Sequence, residues 1–197
     1  MTRTLAAVVL ASLACGDGSQ RAADASTHGD GSRIPDTTTT SAGLAVSPSL
    51  SGKAVTRFVM AGQNYGATES EIRAHLGPPD SVVANPIPSL QDALQPDTLV
   101  RLYYKTRTFG LYRSALSHRD TLSEVIADTT GAPTGLGINV GSSRQDVMSI
   151  LGPPRHIERD RTGVEILEYH RPEDGSGVRL FLLNDSVRRI EWRYSVP

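Results

Sequence analysis

One cysteine, Cys15, and one tryptophan, Trp192, occur in 197 residues, and lysine is confined to Lys53 and Lys105. A lone cysteine excludes an internal disulfide, so the fold has to stand on its apolar core. Basic residues are nearly all arginine and lie interspersed with acids, for a net charge of −1. With no basic block and no aromatic-basic interleaving, nucleic acid is excluded as a partner. Apolar runs are short, which excludes a membrane-spanning helix. Ser-x-x-Lys, Gly-x-Ser-x-Gly, a phosphate loop and paired zinc-ligand motifs are all missing. No nucleophile with an adjacent base can be nominated, so the chain is expected to be a non-enzyme with no cofactor and no metal.

What is present begins with an address. Arg3 precedes the uncharged run Leu5–Ala14, and Asp17 follows it. This is the pattern of a signal peptide, residues 1–14. Two cleavages compete. Small residues at Ser12 and Ala14 suit ordinary signal peptidase and a soluble secreted product. Leu13-Ala14-Cys15 suits a bacterial lipobox, with lipid on Cys15 and anchoring in a membrane. A single unpaired cysteine at the end of the apolar run favours lipidation. Residues 15–55 are rich in Gly, Ser, Thr, Ala and Asp, include Thr37-Thr38-Thr39-Thr40, and hold no aromatic; the first is Phe58. Such a stretch buries too little apolar surface to fold. As a coil it would reach about 35 Å, enough to hold a domain off a membrane surface.

The remaining chain repeats itself. Asn64, Gly66, Leu76, Gly77, Pro78 and Pro79 recur at the same spacing as Asn139, Gly141, Leu151, Gly152, Pro153 and Pro154, which indicates an internal duplication. Each copy encodes a short helix. Thr68 and Ser143 are N-caps, and Glu71 and Asp146 three residues on complete capping boxes. Gly77 and Gly152 are expected to close the helices in the left-handed conformation, and the prolines stop them. Strand signals follow: Thr98–Tyr104, a break at Phe109-Gly110, Leu111–Leu116, and Leu122–Ile126 in the first copy. In the second they are Val164–His170, Val178–Leu183 and, after a tight turn at Asn184-Asp185, Val187–Tyr194. In the last strand Ile190, Trp192 and Tyr194 share one face and Arg189, Glu191 and Arg193 the other. The expected fold is α+β: two tandem helix-plus-antiparallel-meander repeats, residues 56–130 and 131–197, with helices packed on a twisted sheet.

Few residues suggest a site. His156, Glu158 and Asp160 alternate and would share a strand face, but alternation is what any solvent face gives, and arginines lie between them. Tyr169-His170-Arg171 is expected at a strand end, and His75 as a half-buried packing residue on its helix. Aromatics make interface hot spots. Tyr103, Tyr104, Phe109 and Tyr112 cluster in the first copy and Trp192 and Tyr194 close the second. Phe109, Tyr112, Tyr104 and Tyr194 are the expected protein-binding residues, with Trp192 and Tyr103 assigned to the core.

Gly141, Asp146, Val147, Leu151, Gly152 and Pro154, followed by Leu180, Leu182, Leu183, Asn184, Val187 and Ile190, resemble the small outer-membrane-assembly lipoproteins of the BamE (SmpA/OmlA) type. The tandem arrangement is similar to that of β-lactamase-inhibitor proteins. The resemblance implies an exported module that binds other molecules. The function expected is therefore an exported, lipid-anchored bacterial envelope protein, facing the periplasm or cell surface, that binds or scaffolds other envelope proteins. The alternative is a soluble secreted inhibitor that grips a target enzyme with its sheet face.

Overall fold

A computed structural model describes residues 48–89 and 94–196. The signal peptide, Cys15 and most of the tether lie outside the described residues. Helix α1 spans Pro48–Ala61, so residues 48–55, assigned by composition to the tether, are helical. Val55, Phe58, Val59 and Gly62 recur at helical spacing and line one face, with Phe58 and Val59 fully buried. No described helix is long and apolar enough to cross a membrane.

Helices α2, Glu69–Leu76, and α3, Arg144–Leu151, both carry reciprocal capping boxes. The Thr68 hydroxyl accepts from the Glu71 amide at 3.3 Å, and Glu71 accepts in return from the Ala67 and Thr68 amides. Ser143 and Asp146 exchange the same pair of bonds at 3.1 Å each. The Ala67 amide and the Thr68 side chain hold the Glu71 carboxyl below its ordinary range, and Ser143 does the same for Asp146. The helix-closing glycines depart from the expected left-handed form. Gly77 has φ 78 and ψ −165, and Gly152 has φ 77 and ψ −164. That is the mirror image of extended backbone, a region open essentially to glycine alone.

The strands are β1 Ser81–Ile87, β2 Asp97–Tyr104, β3 Arg107–Arg113, β4 Asp120–Ala127, β5 His156–Arg159, β6 Glu165–His170, β7 Gly177–Leu183 and β8 Ser186–Arg193. All pair antiparallel in one sheet of order β1-β2-β3-β4-β8-β7-β6-β5. The expectation of two tandem helix-plus-meander repeats is corrected here. Among the described residues the structure is sheet-dominated, with eight strands in a continuous ladder and three short helices. Its physical cause is the junction of β4 with β8, where Val125 lies opposite Trp192 and Ala127 opposite Ile190. Pairing these strands satisfies two rows of backbone groups that separate units would leave exposed. The expected break at Phe109-Gly110 is also absent. Both residues lie within β3, and the irregularity is a register shift opposite Gly110 and Leu111 that leaves Ser123 of β4 as the extra residue and does not end β3. The turn at Asn184-Asp185 forms as expected, with φ of 52 and 56, the positive values a two-residue hairpin turn demands.

All three helices pack on one face of the sheet, and aromatic side chains of the sheet tie down their C-terminal carbonyls. Trp192 Nε1 donates to Phe58 O and the Tyr194 hydroxyl to Val59 O, each at 2.9 Å. The Tyr104 hydroxyl donates to Gly77 O and that of Tyr169 to Gly152 O, each at 3.0 Å. The last carbonyls of a helix have no partner within it, so each bond satisfies a group that packing would otherwise strand. Burial pushes the Tyr169 and Tyr194 hydroxyls well above the ordinary tyrosine range. Ile72, Leu102, Phe109, Leu111, Val147, Leu151, Leu167 and Leu180, all fully buried, fill the space between.

Candidate interaction surface

The opposite face of the sheet carries no helix among the described residues. Directly opposed residues in an antiparallel sheet share a side, so the register defines this face. One row crosses all eight strands: Ser81, Tyr103, Thr108, Ile126, Glu191, Arg179, Glu168 and His156. A second runs Val83, Arg101, Gly110, Glu124, Arg193, Gly177 and His170. Arg189 and Phe181 lie alongside, with the guanidinium 5.6 Å from the ring centroid.

Charge on this face is layered. Glu168 and Glu191 are buried, at 9% and 4% exposure. Glu168 pairs with Arg179 and, at 3.6 Å, with His170. Glu191 pairs with Arg189 and, at 3.0 Å, with Arg193. Burial by itself would raise the Glu168 carboxyl; hydrogen bonding and charge from Arg179, then from His170, outweigh it and hold the group below its ordinary range. The arginine side chains lie further out, at 43% exposure for Arg189 and 54% for Arg193. Arg101 makes no ion pair among the described residues. The surface therefore presents guanidinium edges, with their counter-charges sunk beneath and partly buried Leu99, Tyr103, Ile126 and Phe181 between them. Guanidinium held in place by a buried carboxylate keeps its planar donor fork oriented without ordering on contact.

Of the four aromatics expected to bind protein, three are buried: Phe109 and Tyr194 in the core between sheet and helices, and Tyr112 opposite Leu99 on the other side of the sheet. Phe109 is fully buried, Tyr112 is 4% exposed with its hydroxyl donating to Asp97, and Tyr194 is 9% exposed and bonded to α1. Tyr104 is partly exposed but points to the helix side, where it meets Gly77. Tyr103, assigned to the core, lies on the open face and is partly exposed; Trp192 is core as expected. Sequence spacing misplaced Phe109 and Tyr112 because β3 buries four consecutive residues, 109–112, on both faces. The signal that marks the open face is the alternation Arg189, Glu191, Arg193 along β8, matched by Glu168 and Arg179 on neighbouring strands.

His156 and Glu158 are exposed on β5. Asp160 lies beyond the strand, accepting from the Thr162 hydroxyl and the Thr162 and Val164 amides. Its carboxylate closes a turn, and no metal-holding group of three His, Cys, Asp or Glu gathers among the described residues. His75 is exposed rather than half-buried; its Nδ1 lies 2.9 Å from the Glu71 carbonyl oxygen of its own helix.

No protein-family model and no curated protein matches the chain. Among solved structures, a DUF4309 family protein (YjgB) from Bacillus subtilis is similar at a TM-score of 0.42 and 14% identity, covering 73% of this chain and 99% of that one. The resemblance to BamE-type lipoproteins and to tandem inhibitor proteins is corrected by the fold: no family model of either kind matches, and the described strands form one continuous sheet rather than two repeats. The motif that carried the resemblance encodes a capped helix with a glycine-proline stop. That is a local device, free to recur on unrelated scaffolds.

Proposed function

We propose that the chain is an exported bacterial envelope protein, anchored to a membrane by lipid on Cys15, whose described part is a non-catalytic protein-binding module. The address rests on the apolar run before Cys15, the single cysteine at its end and the low-complexity stretch that follows. The binding role rests on one observation, the helix-free sheet face with its outward arginines braced by buried Glu168 and Glu191. Arg101, Arg179, Arg189 and Arg193 fit an acidic surface on another envelope protein, and Tyr103 beside them supplies an aromatic contact.

Two measurements test this reading. Radiolabelled palmitate fed to expressing cells should appear on the protein and vanish in Cys15→Ala; a labelled protein of unchanged fractionation in that variant overturns the anchor. A photo-crosslinking amino acid at position 103, on the open face, should capture a discrete partner in cells. The same probe at Gln145, exposed on α3, should not, and Arg101→Glu with Arg193→Glu should cut the yield about tenfold. Equal capture from both positions removes the open face from the proposal.

A further inference from the structure

Arg107 is the one arginine among the described residues whose side chain is buried, at 8% exposure. Burying a cation is costly unless a counter-charge meets it. Elsewhere arginines that are partly covered do have a counter-charge: Arg113 has Glu69 and Asp120, Arg144 has Glu165, and Arg179 has Glu168. Arg107 has no carboxylate within ion-pair distance among the described residues. Its guanidinium stacks 4.3 Å over the Tyr65 ring, and Nη2 donates to Pro133 O at 3.2 Å. These contacts engage the face of the guanidinium and one of its five donors.

The group lines a cleft of about 360 Å³ between the β2–β3 turn, the end of α2 and Pro133. The volume lies in the range of small-molecule sites. Its walls are largely apolar, from Leu76, Pro78, Tyr104 and Pro133, and the Tyr104 hydroxyl is already committed to Gly77 O. Lys105 and Asp80, both exposed, also line the cleft and make no ion pair among the described residues, so two cations face one carboxylate there. We infer that this cleft is a binding site for a small organic carboxylate with an apolar body, the anion taken by Arg107 and the body by Tyr104 and the prolines. The ligand then supplies the counter-charge that the fold withholds. The site is on the helix side of the sheet, so it is independent of the protein-binding face.

The test uses the full chain, with 3-phenylpropionate and its uncharged isostere 3-phenylpropanamide as probes, followed by NMR of the arginine Nε–H and tyrosine ring signals. The carboxylate should shift the Arg107 and Tyr104 signals saturably, with a Kd of about 1 mM or tighter, and bind at least tenfold more tightly than the amide. Arg107→Gln should abolish the preference. Because Arg107 is packed, Thr106→Phe serves as a second variant, filling the cleft while leaving the guanidinium in place, and should weaken the carboxylate at least fivefold. Equal affinity for acid and amide, saturable shifts away from the cleft, or no shift at 10-fold above the expected Kd would overturn the assignment and leave Arg107 as a packing residue.

Discussion

Glu168 sits where three side chains from two strands converge, with Arg179 and His170 both directed at a carboxylate that is 9% exposed. Its folded-state pKa is depressed because the arginine, then the histidine, outweigh the burial that opposes them. A depressed carboxyl contributes stability that is present above its unfolded value, about 4.3, and is lost as pH falls through the folded value. Denaturant midpoints of the natural chain should therefore decline on acidification below about pH 4.3. Glu168→Gln should be less stable near neutrality by about 1–2 kcal/mol, and its midpoint should fall less steeply over that acid range. A variant whose acid limb overlays that of the natural chain would place the pH dependence in other carboxylates.

Helices α2 and α3 have the same length, the same reciprocal caps and closing glycines within a degree or so of each other in φ and ψ, yet their surroundings differ. Beside Gly77 a Cβ would meet open space; at Gly152 it would enter the position of the Ser51 side chain of α1, whose hydroxyl donates to Leu151 O. Gly77→Ala should cost only the backbone strain, about 1–3 kcal/mol. Gly152→Ala adds the displacement of α1 and should cost at least about 1 kcal/mol more, read as the difference in urea midpoints. Equal losses would mean that α1 yields freely at that contact. The caps, the helix stops and the Asn184-Asp185 turn were legible in the sequence because each is decided by three or four adjacent residues. Helix α1 was hidden because Ser49, Ser51 and Gly52 share the composition of the preceding stretch, although Val55, Phe58 and Val59 carried the period. β1 was hidden by Pro86 and by its exposure: six of its seven residues are exposed, so burial imposed no alternation on them. The placement of the aromatics was illegible for a different reason. An aromatic in a strand signals burial or recognition equally well, and the pairing of β3 with β2 and β4 that buries Phe109 and Tyr112 is set by residues outside the strand.

Across the molecule, the seam between β4 and β8 determines how the parts cooperate. Val125, Ala127, Ile190 and Trp192 meet there, and Trp192 also reaches α1, so one contiguous core runs through the join. Unfolding of the described part should be a single transition, with Trp192 fluorescence and far-ultraviolet circular dichroism coincident; two separated steps would show that the halves melt independently. The contacts of α1 with Trp192 and Tyr194 span 134 and 135 residues of chain. The first described helix is thus seated by the end of the last described strand, and a nascent chain that has not yet released Trp192 and Tyr194 leaves α1 with nowhere to dock. A product truncated before Trp192 would leave Phe58 and Val59 without their seat and open α1 to proteases.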